Sequence, residues 1–226
     1  MCGRFTLKSP GRFKFEGVNL SHLPSLAPRY NIAPSQNVLT IVESGAEREA
    51  TFLQWGLIPS WSKGAKGFIN ARAETIEDKP SFKESFQRRR CLIPGDGFFE
   101  WQRSGKIAQP YFFHMKDESS FAFAGIWDEW QGNGNSIASC AIITTAANEL
   151  LAPIHDRMPV ILPYESHDLW LNDDSNPISL RNVLAPFPAS QMTSHAVSYD
   201  VNGTKMDDEH LLRPVEPNLG VTLSLF

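Results

Sequence analysis

Apolar residues gather in short runs separated by Gly and Asn turns through the middle of the chain, a spacing that predicts strands. Residues 37–45, NVLTIVESG, read as a strand entering a turn at Gly45, and residues 49–59, EATFLQWGLIP, as its hairpin partner. Pro80 and Ser81 followed by Glu84 predict a helix start, with Ser81 as N-cap and Glu84 closing a capping box. That helix, 81–89, runs into CLIPGDGFFEWQ (91–102), which reads as strand, turn, strand. PYFFHMK (110–116), SFAFAGIWDEW (120–130) and SIASCAIITT (136–145) continue as neighbouring antiparallel strands. After Thr145 the pattern changes. AANELLAPIH (146–155) predicts a short helix, MPVILP (158–163) a strand, ESHDLWLN (165–172) and ISLRNVLAP (178–186) further helices, and MTSHAVS (192–198) a last strand. The expectation is an α+β fold, a single domain over 1–226 with a curved, mostly antiparallel, barrel-like β-sheet and peripheral helices.

Composition narrows the class. With 226 residues, 42% hydrophobic and 20% charged, the chain can bury a sizeable core, which excludes wholesale disorder. No apolar run approaches the ~18 residues of a membrane span. The opening MCGRFTLKSP has neither the apolar stretch nor the cleavage site of a secretory signal. A cytoplasmic protein without a membrane partner is expected, nucleoid-associated if the cell is bacterial. The net charge of -4 argues against a broad DNA-binding surface. It leaves room for a short basic groove built from Arg4, Arg72, Arg88, Arg89, Arg90 and Arg157. The three cysteines cannot all pair within one chain, and their spacing fits neither a disulfide framework nor a zinc site. Cys91 and Cys140 lie in apolar runs and read as small buried hydrophobes. Around Cys2 nothing reads as core.

Cys2 becomes interesting once residue 1 is considered. Initiator methionine is generally removed before a small residue, and the chain would then begin with a 1,2-aminothiol. Its amine (pKa ~7.7–8.0) and thiol (pKa ~8.5) are both partly deprotonated near neutral pH. Such a pair can condense with an aldehyde to an imine and close on the same carbon as a five-membered thiazolidine. The bland alternative is an incidental cysteine at a frayed terminus. Asn70 and Arg72 share one face if GFINARAET is extended, and an amide beside a guanidinium suits a sugar oxygen and a phosphate as well as a solvated surface. Glu100, between Phe99 and Trp101, reads either as a surface strand position or as a desolvated carboxyl kept protonated as a general acid. His155 and Arg157 stand two apart just before a strand, where a lone histidine is more often structural than catalytic. Trp55, Trp61 and Trp101 are core candidates by residue type alone. Their Gly- and Pro-flanked settings also suit presenting a face to a base.

The segments MCGRF, RYNIAPSQ, WGLIPSW, INARAET, RRCLIPGDGFFEW, HDRMP and VSYDVN, in that order from Cys2 to about Val201, resemble the SRAP (SOS-response-associated peptidase) family. Members of that family shield abasic sites in single-stranded DNA by covalent crosslinking. The resemblance implies that Cys2 is the crosslinking nucleophile and that Asn70 holds the N-terminus and the opened sugar. It implies that Glu100 promotes ring opening and His155 assists proton transfer. Arg4, Arg72 and Arg157 correspond to phosphate contacts, and Trp55 and Trp101 to stacking or wedging aromatics. The implied partner is single-stranded DNA containing abasic sites, with no metal and no organic cofactor. Two rival functions remain open from the residues alone. One is an N-terminal-nucleophile cysteine peptidase or amidase, and the other a DNA-binding module without covalent chemistry.

Overall fold

The computed structural model describes residues 2–14, 16–20, 23–45, 47–64, 66–132 and 134–217. The expected removal of residue 1 and the last nine residues of the tail lie outside them. The strands are β1 (Arg4–Leu7), β2 (Val18–Asn19), β3 (Arg29–Ile32), β4 (Asn37–Ser44), β5 (Glu47–Trp55), β6 (Asn70–Arg72), β7 (Arg90–Gly95), β8 (Gly97–Ser104), β9 (Ile107–Met115), β10 (Phe121–Gly132), β11 (Asn135–Ala146), β12 (Arg157–Pro159), β13 (Ile161–Leu162) and β14 (Met192–Ala196). Three short helices, α1 (Lys83–Arg88), α2 (His167–Leu171) and α3 (Pro177–Asn182), lie outside the sheets. Among the described residues no helix is long and apolar enough to cross a membrane.

The expected hairpin forms, with β4 and β5 antiparallel from Asn37↔Gln54 to Ser44↔Glu47. Gly45 sits at φ 65°, a left-handed conformation that glycine adopts without a Cβ clash. β7 pairs with β4 and with β10, and β10 pairs with β11, all antiparallel. β11 then meets β5 in parallel, Ser139↔Gln54 and Cys140↔Trp55. That seam closes β4, β5, β11, β10 and β7 into a five-stranded barrel of mixed sense, which leaves those strands without long open edges. Inside it Phe5 meets Trp55 and Phe123 edge-on, at centroid distances of 5.2 and 5.5 Å. Cys91 and Cys140 are fully buried there as the small hydrophobes expected.

A second, antiparallel sheet runs in the order β14-β9-β8-β1-β3. Although β7 and β8 are separated only by Asp96, they belong to different sheets. A Cβ on Gly97 would lie 2.2 Å from the Phe112 ring, so only glycine permits this passage. Asp96 secures it by accepting from the Thr6 hydroxyl at 2.6 Å and the Ser9 backbone N–H at 2.8 Å. Strand alternation then gives β8 two distinct faces. Phe98 joins the main core, whereas Phe99 and Trp101 pack with Phe112, Val197, Val201 and Leu211 on the far side. Glu100 falls on the Phe98 side.

Four local expectations differ from what is found. First, α1 starts at Lys83 without a side-chain cap. The Lys79 carbonyl already accepts from the Phe82 and Lys83 N–H groups, and Glu84 pairs with Arg89 at 3.2 Å, so neither Ser81 nor Glu84 forms a capping box. Second, Ala146 ends β11 and residues 149–154 make consecutive turns and no helix, because Pro153 cannot donate to continue one. Asn148 organises those turns, accepting from the Leu151 N–H through its side chain. Third, the 158–163 run splits into β12 and β13 at Val160, which bonds to Ile143 of β11 and to Ala124 of β10. Fourth, Arg90 is not available to a basic groove. It is 3% exposed, and its guanidinium donates to the carbonyls of Phe86, Gln87, Trp170 and Asn172, tying α1 and α2 to the barrel.

Candidate active site

Cys2 lies where β1, β6 and β8 approach one another. The pairing Arg4↔Phe99 brings the chain start beside Glu100. β6 runs parallel to β11, Asn70 opposite Ile142, and from there the Asn70 Nδ2 donates to the Cys2 carbonyl at 2.9 Å. The Asn70 Oδ1 is buried and has no hydrogen-bond partner among the described residues. Cys2 itself is 0% exposed, with its Sγ 3.8 Å from the Arg4 carbonyl. Burial first, and the Glu100 charge second, push the thiol well above its ordinary range. A thiol so placed is neutral and shielded from solvent.

Glu100 is 2% exposed, and burial raises its carboxyl to about 7, with Asp156 adding to the push. Near neutral pH a large fraction therefore carries a proton, which is what a general acid requires. The shift has a consequence for stability. Between its ordinary 4.5 and about 7 the folded chain holds a proton that the unfolded chain has lost, so stability declines as pH rises through that window. At 1.36 kcal/mol per unit the decline is about 3 kcal/mol. Glu100→Gln cannot ionise, and urea unfolding at pH 5 and pH 8 is expected to show that part of the pH dependence gone. A wild-type dependence kept intact in the variant would contradict the assignment.

His155 comes from the turns between β11 and β12. The Gln102 side chain of β8 ties that segment to the site by donating to the Pro153 carbonyl at 3.2 Å. The His155 Nδ1 lies 2.9 Å from both the Arg157 backbone N–H and the Asp156 carboxylate. These contacts call for opposite protonation of Nδ1. Burial pulls the histidine below its usual range, so near neutral pH the ring is uncharged, Nδ1 accepts from Arg157 and Nε2 carries the proton. The solvent-facing Asp156 becomes the partner when the ring is protonated.

The family follows from comparison with known proteins. Residues 1–204 match the family model described as SOS response associated peptidase (SRAP). This chain belongs to the SRAP family. It is 44% identical over 221 residues to the abasic site processing protein YoqW of Bacillus subtilis (strain 168), covering 94% of this chain and 99% of that protein. It is 30% identical over 224 residues to the abasic site processing protein YedK of Escherichia coli (strain K12), covering 95% and 100%. A crystal structure of a protein from Bacteroides thetaiotaomicron superposes with a TM-score of 0.84 at 28% identity, covering 95% of this chain and all of that one.

In this SRAP chain the four residues expected to be catalytic fall around one place, but the expected DNA contacts divide. Trp55 is 0% exposed and its indole N–H donates to the Ile69 carbonyl at 2.9 Å, so it is a core residue with no face to offer a base. Trp61 of the same WGLIPSW segment is 62% exposed and carries the accessible indole instead. Trp101 is half-buried on the face of β8 away from Glu100, its indole N–H donating to the Asn202 side chain at 2.7 Å. Arg157 is engaged from within. It forks onto Glu74 at 2.6 and 2.8 Å and donates to the Thr144 carbonyl at 2.6 Å. Arg72 is exposed at the end of β6. Arg4 bonds to Asn31 and to the chain after β14, two elements that sequence reasoning did not connect with the site. Their signals were the segments RYNIAPSQ and VSYDVN, which contain Asn31, Val201 and Asn202 but do not by themselves mark a contact with Arg4. Among the described residues no group of three or more His, Cys, Asp or Glu is placed to hold a metal.

Proposed function

We propose that this SRAP protein processes abasic sites in single-stranded DNA by capturing them covalently on Cys2 after residue 1 is removed. The observation that carries the proposal is the Asn70 amide holding the Cys2 carbonyl at 2.9 Å beside a carboxyl, Glu100, raised to about 7. The names of the relatives, both called abasic site processing proteins, support the same substrate.

The chemistry is as follows. An abasic sugar is mostly a closed hemiacetal. Protonated Glu100 gives its proton to the ring oxygen as the C1′ bond to that oxygen breaks, and the C1′ hydroxyl loses its proton to leave an aldehyde. The α-amine of Cys2 adds to C1′, water leaves, and an imine forms. The Cys2 sulfur then adds to the same carbon and its proton passes to nitrogen, giving a thiazolidine with one water released overall. Neutral His155 moves protons around the sugar oxygen and the imine. Ring closure removes the imine that would otherwise drive β-elimination of the 3′ phosphate. A buried Cys2 requires the sugar to leave the base stack, which a single strand permits at little cost.

Denaturing electrophoresis of untagged protein with single-stranded DNA carrying one abasic site tests this. A slow, SDS-resistant band is expected, and none with the intact strand. An uncleavable N-terminal tag converts the Cys2 amine to an amide, so tagged protein is expected to give no such band even with Cys2 present. A normal yield from tagged protein would remove the amine from the mechanism.

A further inference from the structure

After β14 the chain crosses the face of the second sheet that carries Phe99 and Trp101, and one buried side chain pins it there. Asn31, on β3, is 1% exposed. Its Nδ2 donates to the carbonyls of Gly203 and Met206, both at 2.8 Å, and its Oδ1 accepts from the Arg4 Nη1 at 2.8 Å. The same Arg4 reaches the crossing segment itself, donating to the carbonyls of Val201 and Asn202. Asn202 in turn accepts from the Trp101 indole. A second latch lies beside the first, where the Asp207 carboxylate accepts from the backbone N–H groups of Tyr30 and Asn31 and pairs with Arg29. Val201 of this crossing segment and Leu211 beyond it are fully buried against Phe99 and Phe112.

We propose that Asn31 is a positioning residue for DNA, fixing Arg4, directly and through the strap of residues 199–207, in the orientation that meets the strand. This inference rests on the function proposed above and on the family resemblance, which implies that Arg4 contacts a phosphate. The donor count favours it over a role in stability alone. Arg4 has five N–H donors, and Asn31, Val201 and Asn202 take three, two from Nη1 and one from Nη2. Among the described residues the Nε–H and one Nη2–H have no partner, which leaves them for phosphate oxygens. An arginine held on three sides loses little side-chain freedom when it binds a phosphate, whereas one released from Asn31 must be ordered by the DNA itself. Asn31 thus acts on capture of the strand and leaves the sugar chemistry at Cys2 and Glu100 unchanged.

Single-turnover adduct formation across a range of abasic single-stranded DNA concentrations separates the two steps. For Asn31→Ala the half-saturating DNA concentration is expected to rise roughly tenfold, as for loss of an ordered charge-assisted phosphate contact. The maximal rate should stay within about twofold of wild type, because the chemical step is untouched. The salt dependence of binding should be shallower by about 0.7 in log–log slope, one phosphate contact on a single strand. Arg4→Ala combined with Asn31→Ala should bind no worse than Arg4→Ala alone, since residues acting through one group are not additive. An unchanged half-saturating concentration, or additive losses, would overturn the proposal. If Asn31→Ala fails to fold, Asp207→Ala opens the surface latch and is expected to give the same split between binding and rate. DNA binding by fluorescence anisotropy keeps the two readings distinguishable. A wild type that binds but forms no adduct condemns the covalent reading, while the Asn31 effect on binding is still measured.

Discussion

Cys2→Ala is expected to abolish the SDS-resistant adduct while weak, salt-sensitive binding to single-stranded DNA survives. The loss should be complete at the sensitivity of a gel. The alanine variant keeps the α-amine and can still form an imine, but it has no sulfur to close the ring. The open imine has two fates, hydrolysis back to aldehyde and β-elimination that cuts the strand 3′ to the site. Cys2→Ala should therefore convert a crosslinking protein into one that releases the DNA or nicks it. Its fold should be close to wild type, since alanine fits the site of a small thiol whose contact with the Arg4 carbonyl is a long one of 3.8 Å. A stable adduct formed by Cys2→Ala at the wild-type rate would place the nucleophile elsewhere.

Glu100→Gln is expected to have the next largest effect, slowing adduct formation by roughly 100-fold or more, as typical for removal of a general acid. Glutamine preserves shape and burial but has no proton to give to the sugar ring oxygen. The pH profile provides the sharper test. With the carboxyl raised to about 7, the protonated acid is depleted as pH rises through that value. The deprotonated α-amine meanwhile gains as pH approaches ~8. Their product gives a bell with its maximum between the two. In Glu100→Gln the alkaline fall should disappear and the residual rate should follow the amine alone. An unchanged bell in the variant would assign the acid's role to another group. Binding should change little, because the carboxyl faces the sugar and carries much of its population uncharged.

The burial of Glu100 was more legible in the sequence than the way the strands close on one another. Glu100 stood out because its neighbours are Phe99 and Trp101, and local apolar density foretells desolvation. The strands of the barrel were likewise visible as short apolar runs between turns. The parallel seam of β5 on β11 was not, because no local pattern marks two strands 85 positions apart as neighbours, as for Gln54 and Ser139. The split of β7 and β8 between sheets was hidden for the same reason. GDG reads as an ordinary tight turn until Phe112 is known to lie against Gly97. Trp55 was misplaced because a following glycine suggests a loop, whereas it is the last residue of β5 and points inward. In the run Arg88, Arg89 and Arg90 charge alone suggested a groove. Only the packing of α1 and α2 reveals that Arg90 faces helix carbonyls. Asn31 lies in the segment RYNIAPSQ but gave no sign of its role, since its side-chain partners lie between 27 and 175 positions away along the chain.

Whether the chain that reacts begins at Cys2 is best settled by intact-mass analysis of the purified adduct. The mass should equal the protein without its first methionine plus the abasic strand, less one water. An adduct that still carries that methionine could not have formed through a primary amine at Cys2, and capture of the sugar as a thiazolidine would be ruled out.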